Sequence, residues 1–222
     1  MLLTPQQVPQ SPGRPIAADA NLAARKCVIH CRQPASRHTP AHRQGQVVPF
    51  ALVEGPCAWK ASDFANLDDV IYTLTPTDIA ELEDAIHSAL SSGAPIESLN
   101  RTDYPLPTLG AALQELGHEA QFGRGFALIR GVPVDRWTRE EVMAAYWLMG
   151  TYWGKAVPQN KKGHLIGHIK DIGHDPANPD TRLYATHEAQ PFHNDASDLV
   201  SLLCLANAPE GGLSSWVRVW PY

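Results

Sequence analysis

The chain has 222 residues, 44% hydrophobic and 18% charged, a composition typical of a folded globular domain rather than a disordered chain. Its net charge of −5 argues against a nucleic-acid-binding surface, and no apolar run is long enough to span a membrane. Four scattered cysteines do not suggest a disulfide scaffold, so a cytoplasmic location is expected.

Residues 1–53 differ in composition from the rest of the chain. They contain six Arg or Lys residues and a single acidic residue, Asp19, whereas most acidic side chains follow in residues 54–222. An Arg-rich, acid-poor start is typical of mitochondrial presequences, so a mitochondrial location stays open, although four early prolines would break the helix of a presequence. We therefore predict a disordered extension over 1–53 and a folded body over 54–222.

Two helices are predicted from their first turns. The first begins after Thr75 as N-cap, with Pro76 at the first helical position, and an apolar stripe follows at Ile79, Leu82, Ile86 and Leu90. The second begins after Thr138, which forms a capping box with Glu141. Its apolar stripe is predicted to pack on a sheet, and it consists of Val142, Tyr146, Met149 and Trp153.

Strand-like runs are shorter. A buried strand is predicted from Phe126 to Val132, between glycines and Pro133. Three further short β-like runs follow the second helix, namely "HLIGHIKDI", "TRLYAT" and "DLVSLLCLA". Helices gathered ahead of short strands favour an α+β, mainly β domain over a doubly wound parallel sheet.

The stretch "PFHNDASD" at 191–198 places His193 and Asp195 two residues apart, just before a strand-like run. In extended backbone, side chains at i and i+2 project to the same face. An imidazole beside a carboxylate supplies two of the three ligands in the 2-His-1-carboxylate triad that holds non-heme Fe(II). The alternative is an ordinary turn, because Asn194, Asp195 and Ser197 are all good turn formers.

Other histidines suggest a different metal site. A zinc hydrolase using His164, His168 or His187 is the alternative, but "HLIGH" lacks the glutamate of the zinc-protease helix. The run "CVIHC" at 27–31 has metal-like spacing, although no second ligand pair follows it. The pair Gly211-Gly212 is also explained by a turn between strands.

Three segments, in their order along the chain, resemble the taurine-dioxygenase-like (TauD/TfdA) family of Fe(II)- and 2-oxoglutarate-dependent oxygenases. They are "GRGFALIRGVPVDR", "GKAVPQNKKGHLIGHIKDIG" and "QPFHNDASDLVSLLCLANAPEGGLSSW". The resemblance covers roughly residues 55–216, and its most specific part is the His-x-Asp segment with the "GG" that follows it.

This resemblance implies a double-stranded β-helix, a jelly-roll core with flanking helices. It implies His193 and Asp195 as iron ligands, Ser214 as a hydroxyl near the 2-oxoglutarate carboxylate, and Fe(II) and 2-oxoglutarate as cofactor and co-substrate. The implied reaction oxidises a small molecule and decarboxylates 2-oxoglutarate to succinate. From the charge and the apolar runs, neither nucleic acid nor membrane is expected as a partner. The substrate and the oligomeric state are not implied.

The sequence departs from the family pattern near its end. The family's third ligand is a distal histidine followed by an arginine that pairs with 2-oxoglutarate, and no histidine follows His193 here. We therefore expect a chain shortened at its C-terminus and an incomplete jelly roll. The alternative function is a non-catalytic fragment or binding partner that lacks the distal histidine and the arginine.

Overall fold

Within the residues that it describes, the computed structural model of the chain contains a four-stranded sheet and three α-helices. In chain order these are β1 (Lys26–Cys31), β2 (Ile71–Thr73), α1 (Pro76–Ser91), α2 (Leu109–Phe122), β3 (Phe126–Arg130), α3 (Arg139–Gly150) and β4 (Leu199–Leu203). The structure describes residues 26–31 (backbone), 54–64, 66–178, 180–193, 195, 197–208 and 212–217.

Capping boxes begin α1 and α3; the sequence predicted the box at α3 and, at α1, Thr75 as the N-cap. The Thr75 hydroxyl accepts the Asp78 N–H at 3.1 Å, and the Asp78 carboxylate accepts the Thr75 N–H at 2.8 Å. At α3, Thr138 and Glu141 exchange the same pair of bonds at 3.3 and 2.7 Å. Each box satisfies backbone N–H groups that have no partner within their own helix, so both helices begin where the sequence placed them.

The predicted apolar stripes face the core. Leu82 and Ile86 of α1 are buried, and Val142, Tyr146 and Met149 of α3 are between 1% and 6% exposed. The predicted stripe of α3 extends past the helix, which ends at Gly150, and its last member packs partly against the same core from the following turn. These side chains form one cluster with α2 and the helix-facing side of the sheet.

The α2 helix also approaches the aromatic residues that follow α3. A Cβ atom at Gly117 would lie 2.9 Å from the Trp153 ring, and one at Gly110 would lie 2.5 Å from the Tyr152 ring. The Trp153 indole N–H donates to the Leu113 carbonyl at 2.9 Å. Gly110 and Gly117 are seven residues apart and so lie on the same face of α2. Because neither has a side chain, two aromatic rings can pack against the helix backbone there.

The sheet has the strand order β2-β3-β1-β4. Strand β2 pairs with β3 in parallel, and β1 lies antiparallel to both β3 and β4. Ala127 and Ile129 of β3 join the core under the helices, whereas Phe126 and Leu128 join a second apolar cluster on the opposite face. This second cluster includes Trp59, Phe64, Leu67, Val70, Ile71, Leu202 and Trp216.

Three features differ from the sequence predictions. Residues 26–31 form a central strand although they fall within the predicted disordered extension, because both neighbouring strands offer them backbone hydrogen bonds. Of the three late β-like runs, only the last contains a strand; residues 183–185 form a 3-10 helix instead. The described residues are α+β as predicted, but their helices are longer than their strands. The boundary near residue 54 stays a prediction.

Among the described residues, no helix combines the length and the apolar character that crossing a membrane requires.

Candidate metal and cofactor site

His193 and Asp195 lie in the segment that leads into β4. Neither residue is part of a strand, and both side chains are exposed. Phe192, beside them, is 60% exposed. The candidate ligands are therefore held at the surface of the described structure, where water reaches both side chains.

A hydrogen bond sets the orientation of the His193 ring. Its Nδ1 atom lies 2.9 Å from the carbonyl oxygen of Pro191. Because a carbonyl oxygen only accepts, Nδ1 carries the proton in this contact, and in the neutral ring the lone pair is on Nε2. Histidine ligands commonly make such a bond from one nitrogen while the other binds the metal. In the neutral ring this contact leaves Nε2 as the nitrogen able to bind a metal.

The start of β4 lies level with the start of β3. His30 of β1 pairs with Phe126 on one side and with Val200 on the other. Since β1 is antiparallel to both neighbours, β3 and β4 run in the same direction and begin at the same end of the sheet. The segment that carries His193 and Asp195 enters the sheet at this end.

An aromatic contact holds Trp216, two residues after Ser214, at this end of the sheet. Trp216 stacks on Phe126 with ring centroids 6.1 Å apart and an interplanar angle of 4°. Ser214 itself is half-buried and follows Gly212, whose φ of +71° lies in the left-handed region that favours glycine. Through this stack, Trp216 packs on the sheet face opposite the helices.

Each of the alternative zinc residues has a different contact. His164 is 3.1 Å from the Asn160 amide, and His187 lies 3.5 Å from an Asp171 carboxylate oxygen. His168 instead contacts α3 through Arg139. Across the described ranges, no three His, Cys, Asp or Glu side chains group closely enough to hold a metal ion.

His168 has a polar role of its own. The Arg139 guanidinium lies 2.9 Å from His168 Nδ1, and because arginine only donates, this nitrogen accepts. Burial and then the positive charge of Arg139 lower the pKa of His168 below its usual value. Both side chains line a cavity of about 210 Å³ between α3 and the end of β4. His193, Asp195 and Ser214 are not among its lining residues.

Two contacts near the candidate residues could not be predicted from the sequence. The bond from His193 to the Pro191 carbonyl depends on a local backbone turn, which residue spacing does not specify. The Trp216–Phe126 stack joins residues 90 positions apart, and only the tertiary fold brings them together. The one sequence feature that points to the stack is an aromatic residue, Trp216, shortly after the pair Gly211-Gly212.

Comparisons with known proteins place most of the chain in a single family. A family model described as "Taurine catabolism dioxygenase TauD, TfdA family" matches residues 90–220. FR-33289 synthase of Streptomyces rubellomurinus (strain ATCC 31215) is 32% identical over 161 residues, which cover 72% of this chain and 48% of the relative. Taurine hydroxylase-like protein SAT17 of Stachybotrys chartarum (strain CBS 109288 / IBT 7711) is 27% identical over 162 residues, 70% of this chain and 42% of the relative. The chain spans less than half the length of each of these curated relatives.

Proposed function

Because the chain belongs to the taurine catabolism dioxygenase TauD, TfdA family, we propose that it is part of an Fe(II)- and 2-oxoglutarate-dependent oxygenase. The proposed reaction oxidises a small organic molecule and converts 2-oxoglutarate to succinate. One observation carries the assignment of the site: His193 donates from Nδ1 to the Pro191 carbonyl and so presents the Nε2 lone pair, two residues before a carboxylate.

His193 and Asp195 would hold the iron. A neutral imidazole and a carboxylate are two of the three protein ligands in the facial triad that suits Fe(II) in oxygenases. When bound, Fe(II) and 2-oxoglutarate supply the O₂ activation that protein side chains cannot perform. The Pro191 carbonyl acts through His193: it fixes the tautomer and the ring direction, so the ligand needs no reorientation when metal arrives.

Ser214 would donate its hydroxyl proton to a carboxylate oxygen of 2-oxoglutarate. The Trp216 stack on Phe126 supports this role because it fixes the backbone two residues away, at the end of the sheet where β4 begins. A half-buried hydroxyl held in this way loses little conformational freedom when it binds the carboxylate. Ser214 is thus proposed as a cofactor-binding residue and the ring pair as its support.

The proposed fold of the domain is a double-stranded β-helix. The described sheet is covered by helices on one face, and the opposite face carries the aromatic cluster. In a jelly roll a second sheet packs on such a face and encloses the site between two layers. Enclosure would exclude water from His193 and Asp195, which are exposed in the described structure.

Metal binding tests the ligand assignment. Under anaerobic conditions, Fe(II) should bind the 222-residue chain weakly, because His193 and Asp195 would supply two protein ligands and water would fill the other positions. His193→Ala should abolish this binding, measured by equilibrium dialysis and by the EPR signal of the nitric oxide adduct. His187→Ala is the matched control, because it removes an exposed histidine that lies beside Asp171.

Turnover tests the reaction. With Fe(II), ascorbate and O₂, this chain should release little succinate from 2-oxoglutarate, and a longer chain that adds a downstream histidine and arginine should release more. Asp195→Ala should remove that gain. Fe(II) binding or succinate release that is unchanged by His193→Ala would refute the assignment of His193 as an iron ligand.

A further inference from the structure

Strand β1 is distant in sequence from both of its neighbours. Its six residues, Lys26–Cys31, lie between β3 and β4, which begin 95 or more residues later. Each flanking strand contributes five paired positions to it. We propose that the gap between β3 and β4 is a strand-binding slot, and that a second copy of this chain can fill it with its own residues 26–31. The result is a strand-exchanged dimer, an interaction that is independent of the proposed oxygenase activity.

The first wall of the slot, β3, is held in place by contacts other than those with β1. On its other edge β3 pairs in parallel with β2, with Ile71 opposite Leu128. Ala127 and Ile129 are buried in the core under the helices, and Phe126 and Leu128 are buried on the opposite face. Both faces and one edge of β3 are therefore satisfied whichever molecule supplies β1.

The second wall, β4, is also anchored without β1. The Tyr146 hydroxyl of α3 lies 2.7 Å from the Ser201 carbonyl and 3.0 Å from the Ser201 hydroxyl, in a buried setting. Leu203 is 3% exposed and belongs to the same core as α3. Because α3 fixes one wall and the helix-covered core fixes the other, the slot keeps its shape when the strand within it is exchanged.

The dimensions of the slot fit one extended segment. Neighbouring strands are about 4.8 Å apart, so β3 and β4 are separated by roughly 10 Å when a single strand lies between them. An empty slot would leave two facing rows of backbone N–H and C=O groups without partners, which is costly away from water. Recognition by backbone pairing on both edges favours a segment of the same length and register, and residues 26–31 of any copy provide it.

The connection to β1 is long enough to serve either molecule. Residues 32–53 separate β1 from the described body, a stretch of 22 residues that can span at most about 75 Å. A flexible linker of 22 residues would give its own slot an effective strand concentration on the order of millimolar. In dilute solution, each slot is therefore filled mainly by residues 26–31 of its own chain. Exchange between copies increases as the protein concentration approaches the millimolar range.

Disulfide trapping in the full chain distinguishes the two arrangements. Cys31 is directly opposite Leu199 in the register of β1 and β4, and opposed Cα atoms in antiparallel strands lie about 4.5–5.5 Å apart, within reach of a disulfide. Leu199→Cys should crosslink to Cys31 on mild oxidation. In a mixture of ¹⁵N-labelled and unlabelled chains, mixed-label crosslinked peptides should be rare at about 5 μM and at least tenfold more abundant near 500 μM.

Each outcome decides the proposal. Crosslinks that remain within one chain at every concentration would overturn the second copy as occupant. Absence of any crosslink to Cys31 in a folded variant would overturn the slot itself, and Leu199→Cys with Cys31→Ser is the control for the other thiols. If Leu199→Cys does not fold, sedimentation of the unmodified chain replaces it. Dimer should form with rising concentration and be lost in Val28→Pro, since proline removes a ladder N–H; dimerisation that persists in Val28→Pro would contradict exchange through β1.

Discussion

Two parts of the molecule are stabilised in different ways. They are the helix-covered part, residues 71–153, and the site-bearing part, residues 155–217. The first contains three helices, two capping boxes and most of the buried core. Among the described residues of 155–198, by contrast, only Ala185 and Thr186 are buried, and the one regular element is a short 3-10 helix. The candidate ligands therefore belong to a segment with almost no core of its own.

The site-bearing part is positioned by a few contacts instead. Asx turns at Asn160, Asp171 and Asp175 shape its loops, and two backbone bonds join residues 170–172 to 184–185. Strand β4 and the Trp216 stack connect it to the sheet. Segments with few buried apolar contacts open at low free-energy cost. We therefore expect the stability of this protein and the geometry of its site to depend on different contacts.

The largest effect is expected from Met149→Asp in α3. Met149 is 1% exposed, so the substitution would bury a carboxylate without a partner and should lower the free energy of unfolding by several kcal/mol. Chemical denaturation followed by circular dichroism measures this loss. Met143→Asp on the same helix is the matched control, and it should cost less because Met143 is half-buried. If both substitutions lowered the free energy of unfolding equally, burial of the side chain would not explain the loss.

Asp78→Ala should follow in size. The Asp78 carboxylate is 1% exposed and accepts from the Thr75 N–H, the Thr75 hydroxyl and the Tyr72 hydroxyl at 2.8, 2.8 and 3.1 Å. Loss of this shared acceptor should destabilise the fold by about 2–3 kcal/mol. Glu141→Ala, in the exposed capping box of α3, should cost less. If Asp78→Ala lowered the free energy of unfolding less than Glu141→Ala, the buried capping box would not be the more stabilising of the two.

Trp216→Ala tests whether the two parts can be separated. Removal of the half-buried ring that stacks on Phe126 should cost about 1–2 kcal/mol. Amide hydrogen exchange should accelerate in residues 212–217 and leave α1 and α3 protected. Trp216→Phe keeps an aromatic face and should restore most of the protection. Uniform acceleration across the helices would show that the two parts unfold as one unit.

The smallest effect concerns pH and the His168–Arg139 contact. Because the pKa of His168 is lowered in the folded chain, the unfolded chain binds more protons below about pH 6.5, and stability falls as pH decreases through the folded-state pKa. The side chain is exposed, so the change in stability is small. Arg139→Gln should raise the pKa of His168 in an NMR titration. Arg136→Gln removes an arginine that pairs with Glu83 and should leave that pKa unchanged.

Local features were predicted well from the sequence. The starts of α1 and α3, their buried stripes and strand β3 depend on residues within one or two turns of each other, and their caps carry a signal that needs no tertiary context. The predicted extension shows the opposite case. Its composition suggests disorder, yet residues 26–31 form a strand between β3 and β4, because backbone pairing on two edges outweighs composition.

The sequence alone predicted the family, the starts of α1 and α3 and the pair His193 and Asp195 as candidate ligands, because each rests on short local patterns; it did not predict α2. Only the tertiary structure decided that β1 joins the sheet, that Trp216 stacks on Phe126 and that β3 and β4 begin at the same end. The direction of the His193 lone pair was also decided there, through the Pro191 carbonyl. The reason is physical: strand pairing and ring stacking join residues tens of positions apart, and their partners are chosen by the packing of the whole domain rather than by local spacing.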